Sequence, residues 1–230
     1  MSEFLQSSVF FGIILTFLAY GVGLLLKKKL KLALFNPILT AIVIVIGVLL
    51  LFGIDYPTYS QGAKFISSMI TPSTICLAVP LYERLSVLKK NYKAIIAGIV
   101  SGVLTSLLNI WLFALIFRFS HEEYVTFLPK SITTAIGMGV AEELGGYTAI
   151  TAAVIIVTGI LGNMTAEFVC KLCRITEPVA KGVAIGTASH AVGTAKAMEM
   201  GETEGAVSSL SIVVAGLLTV AGAAAFAQFI

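Results

Sequence analysis

The sequence predicts an all-α, polytopic helical membrane protein, and three observations support this fold class. Only 12% of the 230 residues are charged and 58% are hydrophobic, whereas a soluble domain carries about 25% charged residues. Cutting the sequence at its charges leaves six long apolar runs, each with the roughly 17–25 residues that a helix needs to cross a bilayer. Two further uncharged runs are too short to cross, and both are rich in hydroxyl side chains.

The six long runs are predicted to span the membrane, and the two short runs to be re-entrant or broken segments. The long runs are residues 8–26, 32–54, 65–82, 94–117, 144–166 and 205–230, and the short runs are 131–141 and 182–195. The first long run has no basic region before it, so we do not expect a signal peptide. Residues 1–230 are therefore expected to form one membrane domain, with scaffold spans in 8–62 and a repeat-containing transport core in 63–230.

The basic residues predict which side of the membrane each loop faces. Eleven of the fifteen fall in three clusters, which the positive-inside rule places in the cytoplasm: Lys27, Lys28, Lys29 and Lys31; Arg84, Lys89, Lys90 and Lys93; and Lys171, Arg174 and Lys181. The N-terminus is then outside. Residues 129–143 must enter and leave on the outer side, and residues 182–204 on the inner side. In the alternative topology both short segments are full spans and the third cluster lies outside.

The two short segments and the helices that follow them align as an internal repeat. A shift of 56 residues (from 135 to 191) superposes Ala135-Ile136-Gly137 on Ala191-Val192-Gly193 without a gap, and Glu143 on Glu199. Because the predicted topology brings the two units in from opposite faces, the repeat is inverted, a pattern typical of transporters whose short, interrupted segments form the binding site. Chance matching in an Ala-, Gly- and Val-rich sequence is the alternative.

At these motifs the chain resembles the LrgB/CidB family of bacterial membrane proteins, which includes the plastid glycolate/glycerate transporter. The resemblance extends from about Asn36 to the C-terminus. It is carried by Asn36-Pro37, by Thr71-Pro72-Ser73-Thr74 with Ala78-Val79-Pro80, by Pro129-Lys130-Ser131-Ile132-Thr133-Thr134, and by Gly186-Thr187-Ala188-Ser189-His190-Ala191-Val192-Gly193-Thr194. The chain departs from the family at Ala135, where a second proline is common, which weakens the expected break in the first short segment.

The resemblance implies two different functions. One is secondary transport of a small monocarboxylate of the glycolate, glycerate, pyruvate or lactate type, with proton coupling as an option. The other is that of an antiholin-like protein that modulates murein hydrolase activity and cell lysis together with an LrgA-type partner. Either reading places the chain in a bacterial cytoplasmic (plasma) membrane, surrounded by the lipid bilayer.

A carboxylate anion needs a cation and several hydroxyl or amide donors, and the short segments supply both. Lys130 is the predicted carboxylate-binding cation, with a lysine that snorkels to the interface as the alternative. His190 lies in a segment free of other charges, and its ordinary pKa suits a proton-coupling site; the alternative is a neutral histidine that bridges two helices. The remaining predicted substrate ligands are hydroxyl and amide residues: Ser131, Thr133, Thr134, Thr187, Ser189, Thr194, Thr71, Ser73, Thr74 and Asn36.

Other side chains receive ordinary interpretations. We expect Lys196 to form a surface ion pair near Glu199, His121 to be solvated, and Asn163 to contribute to helix packing. Small-residue faces such as Gly98-x-x-x-Gly102 predict close helix packing within or between subunits. With few spans to enclose a pathway, we expect a homodimer.

No enzyme, cofactor or metal-site motif is recognisable. The sequence contains no HExxH, nucleophile-elbow or phosphate-loop pattern, so we expect no catalytic residues, no cofactor and no metal. The formal net charge of +3 is explained by the topology and does not predict binding to nucleic acid.

Overall fold

The computed structural model describes residues 10–30 and 36–230, and within them it contains helices and no strand. Residues 8, 9 and 32–35 of the predicted first and second runs, and Lys31 of the first basic cluster, lie outside the described residues. The helices fall into two compact units, which divide between Cys76 and Leu77. The functional boundary predicted at residue 62 stays a prediction, because a division by contacts does not test function.

The first unit contains helices α1 (Phe11–Leu30), α2 (Pro37–Phe52), α3 (Tyr56–Ser68) and α4 (Ile70–Cys76). Asn36 starts α2, since its Oδ1 accepts a hydrogen bond from Ile38 N at 2.9 Å, and Pro37 occupies the position where a missing N–H costs nothing. Ala19, Ala41 and Val45 form a small core between α1 and α2.

The second unit contains seven helices and ends in a short 3₁₀ turn, Ala227–Phe229. The helices are α5 (Ala78–Glu83), α6 (Leu85–Phe117), α7 (His121–Phe127), α8 (Thr134–Glu143), α9 (Thr148–Leu172), α10 (Pro178–Met200) and α11 (Glu202–Phe226). A core stripe runs along one face of α6 at intervals of three or four residues, as helical periodicity requires: Ile95, Ile99, Val103, Leu107, Ile110 and Ala114.

The structure confirms the predicted fold class and corrects the number of full spans. Five helical stretches of the described residues are long and apolar enough to cross a membrane: Phe11–Leu30, Tyr56–Glu83, Leu85–Phe117, Thr148–Leu172 and Glu202–Phe229. The predicted run 32–54 is instead represented by Pro37–Phe52, a 16-residue apolar helix below the spanning length, because Asn36 caps its start and Gly53, with φ of 60°, ends it. The chain is a multi-pass helical membrane protein.

The long helices of the second unit define its two ends. Arg84 at the start of α6 pairs with Glu202 at the start of α11. Trp111 near the end of α6 packs beside Phe229, just after α11, with tilted rings whose centroids are 6.0 Å apart, so α6 and α11 run parallel. Tyr124 donates to Phe226 O, while Thr126 lies beside the start of α9. Helix α9 therefore begins where α11 ends, and runs antiparallel to it. We name these the predicted inner end (residues 84, 172–178 and 200–204) and the predicted outer end (118–127, 145–147 and 226–230).

Each short segment begins and ends at one end of the unit, as predicted, and the two segments do so at opposite ends. In hairpin 1, residues 121–143, the side chain of Thr126 accepts from Tyr147 N at 2.8 Å and donates in turn to Glu122 O. The backbone of Gly146 also lies against Thr126. The residues just after α8 therefore return to α7, with residues 128–133 forming the non-helical tip between the two helices.

Hairpin 2 is α10 itself, which reverses direction in its middle. Ser189 (φ −136°, ψ 15°) and His190 (φ 43°, ψ −142°) leave helical geometry and divide α10 into a first arm, 178–188, and a second arm, 191–200. Gly182 and Gly186 approach Glu204 O and Ser208 O, so the first arm runs parallel to α11. Met198 packs on Gly205 and Thr194 bonds Ser208, so the second arm runs antiparallel to α11.

The repeat is also visible in the structure. Helix α8 followed by α9 and the second arm followed by α11 occupy positions 134–172 and 191–226, in register with the 56-residue shift. Hairpin 1 enters from the predicted outer end and hairpin 2 from the predicted inner end. The two copies of the repeat, both in the second unit, are therefore inverted relative to each other, whichever end faces the cytoplasm.

Candidate functional site

The tip of hairpin 1 and the first arm of hairpin 2 line a groove along α6. The groove has a volume of about 510 Å³. Hairpin 1 contributes its tip, hairpin 2 contributes the end of its first arm, and α6 contributes one face. The lining residues are Gly98, Ser101, Gly102, Thr105, Ser106, Asn109 and Phe113 of α6, Lys130 and Ser131 of hairpin 1, and Val183, Ala184, Thr187 and Ala188 of hairpin 2. We call this the central groove.

Lys130 is the one basic side chain that lines the central groove within the described residues. Its Nζ donates to Ser131 Oγ at 3.0 Å, and Ser131 Oγ lies 3.3 Å from Ser106 Oγ on α6. The described part of the chain gives Lys130 no acidic partner within ion-pair distance. The result is a cation beside two hydroxyls, and the charge of this cation is not neutralised by a neighbouring carboxylate.

Small residues on α6 allow hairpin 2 to approach closely. A Cβ at Gly98 would lie 2.9 Å from Val183 Cγ1, and one at Gly102 would lie 2.7 Å from Thr187 Cγ2. The small-residue pair predicted to pack helices therefore does so within one chain, between α6 and hairpin 2. Gly222 likewise faces Leu107 Cδ1 on α6.

The tip of hairpin 2 is held by hydrogen bonds to its neighbours. His190 is buried, and its Nε2–H donates to Ile155 O of α9 at 2.9 Å, a direction fixed by the carbonyl, which can only accept. Asn163 Nδ2 donates to Val192 O at 2.8 Å. Thr194 Oγ1 donates to His190 O and lies 2.6 Å from Ser208 Oγ. Ser189 packs directly against Gly162.

The structure brings together three of the predicted substrate ligands: Lys130, Ser131 and Thr187. Thr187 Oγ1 donates to Val183 O at 2.5 Å, so its methyl group and its acceptor lone pairs remain for other contacts. Three others, Ser189, His190 and Thr194, lie at the buried tip of hairpin 2 and face α9 or α11. Thr133 occupies the N-cap position of α8 without a side-chain capping bond, and Thr134 begins the helix; both are half-buried.

Two of the four predicted ligands of the first unit, Asn36 and Thr74, form local hydrogen bonds there. Asn36 caps α2. Thr71, Ser73 and Thr74 lie on α4 with exposed side chains, and Thr74 Oγ1 donates to Ile70 O. Their roles as ligands, and those of the other predicted residues, stay predictions.

Four groove residues on α6 were missed by the sequence interpretation: Ser101, Thr105, Ser106 and Asn109. Ser101, Thr105 and Asn109 are spaced four residues apart, so they form one polar stripe on an otherwise apolar spanning helix. Thr105 Oγ1 donates to Ser101 O and Asn109 Nδ2 to Thr105 O, each at 2.7 Å. These bonds use one donor of Thr105 and one of Asn109 within α6, while all three side chains line the groove. The four-residue spacing is the signal that could have revealed this stripe.

Lys196 and Asn163 have the contacts predicted for them. Lys196 Nζ forms ion pairs with Glu167 Oε1 at 2.6 Å and Glu199 Oε2 at 3.2 Å, which holds the second arm of hairpin 2 to the end of α9. Asn163 bridges α9 to the same arm. His121, predicted to be solvated, is exposed, and its Nδ1 also lies 2.7 Å from Ile230 O.

Comparison with known proteins places this arrangement in one family. The model of the LrgB-like family matches residues 16–229. The chain is 36% identical over 219 residues to the holin-like protein CidB of Staphylococcus aureus strain Mu50, covering 95% of each chain. It is 36% identical over 222 residues to the antiholin-like protein LrgB of Bacillus mycoides strain KBAB4, covering 96% of each. No solved structure matches. The chain therefore belongs to the LrgB-like family, as its motifs predicted.

Proposed function

We propose that the chain is a secondary transporter of small monocarboxylates, which moves its solute without changing it chemically. The observation that carries the proposal is the central groove, where Lys130 and a set of hydroxyl groups lie between two re-entrant hairpins that enter from opposite ends. Irregular backbone at membrane depth is tolerated where it lines a polar cavity, and inverted, broken segments are typical of transporter binding sites.

The charge and size of the groove favour a small anion. An ammonium group without a carboxylate partner attracts an anion strongly in a medium of low dielectric constant, and intramembrane charges mark solute pathways by default. One hydroxyl of the Ser106–Ser131 pair can donate to the oxo or carboxylate oxygen of a glycolate-, glycerate-, pyruvate- or lactate-type acid, because a hydroxyl is both donor and acceptor. The Asn109 carbonyl can only accept, so it suits the hydroxyl group of a glycolate-, glycerate- or lactate-type acid. The methyl of Thr187 and the ring of Phe113 supply apolar walls.

Proton coupling through His190 forms part of this proposal. Its side chain lies at the tip of hairpin 2, where a change in charge would act on the contact between hairpin 2 and α9. An imidazolium could still donate from Nε2 to Ile155 O, so protonation need not break this bond. Uptake by a His190→Gln variant should then lose its dependence on pH, because glutamine keeps a donor but does not titrate; unchanged pH dependence would exclude His190 as the proton site.

The names of the relatives favour a second candidate function. The Staphylococcus protein is named holin-like and the Bacillus proteins antiholin-like. In this reading the chain modulates murein hydrolase activity and lysis with an LrgA-type partner, and has no solute of its own. This candidate agrees better with the relatives' names, whereas the groove favours transport.

Uptake into proteoliposomes separates the two candidates. Purified protein is reconstituted and offered labelled pyruvate, glycolate or lactate, with and without an inward proton gradient, and Lys130→Met serves as the groove variant. Transport predicts saturable uptake that this variant loses. Two results together would support the second candidate. The wild-type protein would take up none of the acids, and cells carrying the LrgA-type partner would lyse to the same extent with Lys130→Met as with the wild type.

A further inference from the structure

We propose a binding site for the headgroup of an anionic phospholipid at the base of hairpin 2. A cavity of about 520 Å³ lies there, at the predicted inner end, and shares no lining residue with the central groove. Lys171, Arg174 and Lys181 line it together with a single acidic residue, Glu167. We call it the basal cavity. Neither the proposed transport nor the lysis function assigns it a role.

The charges around the basal cavity leave it positive. Glu167 is already held by Lys196 at 2.6 Å, and Lys181 lies 3.8 Å from Glu204. Arg174 forms no ion pair with any acid in the described part of the chain. Lys171 Nζ lies 3.9 Å from Glu167 Oε2, on a side chain that is 82% exposed at the rim. The guanidinium of Arg174 is thus available to a phosphate group, for which arginine offers paired donors, and the weakly paired ammonium of Lys171 lies at the rim of the same cavity.

The position of the cavity points to a lipid as the source of that phosphate. The spanning stretch Thr148–Leu172 ends at its wall, so the cavity lies at the level where a membrane-spanning helix meets the headgroups. Ile175, Cys170 and Met200 give it an apolar floor, which suits the glycerol and upper acyl region of a lipid. Basic pockets between membrane helices at the cytoplasmic side bind anionic headgroups in other proteins.

A bound headgroup would contact both arms of hairpin 2. Lys181 belongs to the beginning of the first arm and Met200 to the end of the second arm, and both line the basal cavity. Occupancy therefore bridges the two arms to the end of α9 and restrains the base of the hairpin. The anionic lipid content of the membrane would then control how freely hairpin 2 moves.

Two arginines provide a matched pair of variants for the test. Arg174 and Arg118 both have positive φ, 54° and 55°, and each lies just beyond the end of a long helix, but only Arg174 lines the cavity. Arg174→Gln and Arg118→Gln therefore disturb the backbone alike and remove the same charge from opposite ends. Lys171→Gln, at an exposed position, keeps the test available should Arg174→Gln fail to fold.

The experiment measures lipid binding to the purified full-length protein by native mass spectrometry, titrating phosphatidylglycerol or phosphatidylcholine. We expect a preference for phosphatidylglycerol that falls about fivefold for each charge removed at Arg174 or Lys171 and is unchanged in Arg118→Gln. Equal binding of both lipids, or an unchanged preference in both cavity variants, would overturn the proposal. If inorganic phosphate displaces phosphatidylglycerol at the same concentration as the lipid, the cavity is a site for free phosphate and the lipid assignment is wrong.

Discussion

The two hairpins occupy equivalent places in the repeat but are built differently. Hairpin 1 connects α7 to α8 through a non-helical tip, residues 128–133, whose Lys130 lies in the central groove. Hairpin 2 is one helix broken over two residues, and its tip is buried by α9 and α11. The positive φ of His190 is a conformation that an L-residue rarely adopts, which the surrounding contacts must maintain.

The difference indicates a division of labour between the hairpins. At the tip of hairpin 2, His190 and Thr194 form hydrogen bonds with other parts of the protein, and Asn163 of α9 donates to the same hairpin. At the tip of hairpin 1, the ammonium of Lys130 is held by a hydroxyl and not by a carboxylate. In the proposed transport function, hairpin 1 would supply the charge that binds the solute, and hairpin 2 would supply part of the wall of the groove.

The largest expected effect is that of removing the charge from hairpin 1. Lys130→Met should weaken carboxylate binding by about 10- to 100-fold, because a hydrogen-bonded charge contributes about 1.5–3 kcal/mol. Isothermal titration of the purified protein with pyruvate, glycolate or lactate measures this. Lys130→Arg should also bind poorly, because a planar fork replaces a point charge. Near wild-type affinity of the Met variant would make Lys130 an interfacial anchor.

A smaller effect, on stability, should follow from filling the space between hairpin 2 and α11. A Cβ at Gly186 would lie 2.5 Å from Ser208 O, whereas one at Gly139 of hairpin 1 meets no atom within 4 Å. Gly186→Ala should lower the free energy of unfolding by about 2 kcal/mol through overpacking. Gly139→Ala, the matched control, should be neutral or stabilising by up to about 1 kcal/mol.

Thermal unfolding in detergent compares these two glycine variants. The contrast depends on the tight packing of the first arm on α11, since both glycines lie within helices. Equal melting temperatures for Gly186→Ala and Gly139→Ala would show that the first arm of hairpin 2 is not held against α11 in the way described.

Removing the imidazole at the tip of hairpin 2 should lower the free energy of unfolding less than Gly186→Ala does. His190→Ala loses the bond to Ile155 O, for which we expect about 1 kcal/mol of lost stability. His121→Ala changes an exposed histidine at the predicted outer end and should alter the melting temperature little. If the two variants melt alike, the bond from His190 does not stabilise the tip.

The smallest effect is expected from Lys196, the other lysine near a short segment. Its ion pairs with Glu167 and Glu199 lie at the edge of the unit, where the carboxylates are about half exposed. Such pairs contribute about 0–1 kcal/mol, so Lys196→Met should be nearly as stable as the wild type and keep its carboxylate affinity. A loss of affinity comparable to that of Lys130→Met would contradict the assignment of the solute charge to hairpin 1.

Much of this comparison could be predicted from sequence, because it depends on charge and periodicity. Three basic clusters and two runs too short to span were sufficient to predict re-entry, and Ala135 and Ala191 set the register of the repeat. Pro129 indicated a break near the tip of hairpin 1. The break at Ser189 and His190 has no proline or glycine at either residue, so the sequence predicted a re-entrant or broken segment over residues 182–204 but not the position of the break within it.

The arrangement of the site could be predicted less well. Periodicity says which residues are polar but not which neighbour a side chain faces, so the sequence could not place Ser189, His190 and Thr194 against α9 and α11. The stripe from Ser101 to Asn109 on α6 was missed because each hydroxyl alone is explained by a bond to its own helix. Packing between α6 and the hairpins, which depends on distant parts of the chain, brings this stripe to Lys130.

Cysteine accessibility tests most directly the claim that the two hairpins enter from opposite sides of the membrane. Glu143 and Glu199 are equivalent residues of the repeat, both exposed, each near the point where its hairpin leaves the membrane. Single cysteines replace them in a background with Cys76, Cys170 and Cys173 changed to serine, and are labelled with an impermeant maleimide in intact and permeabilised cells. The account predicts that one position is labelled in intact cells and the other only after permeabilisation. Labelling of both from the same side would contradict it and favour two full spans in place of the hairpins.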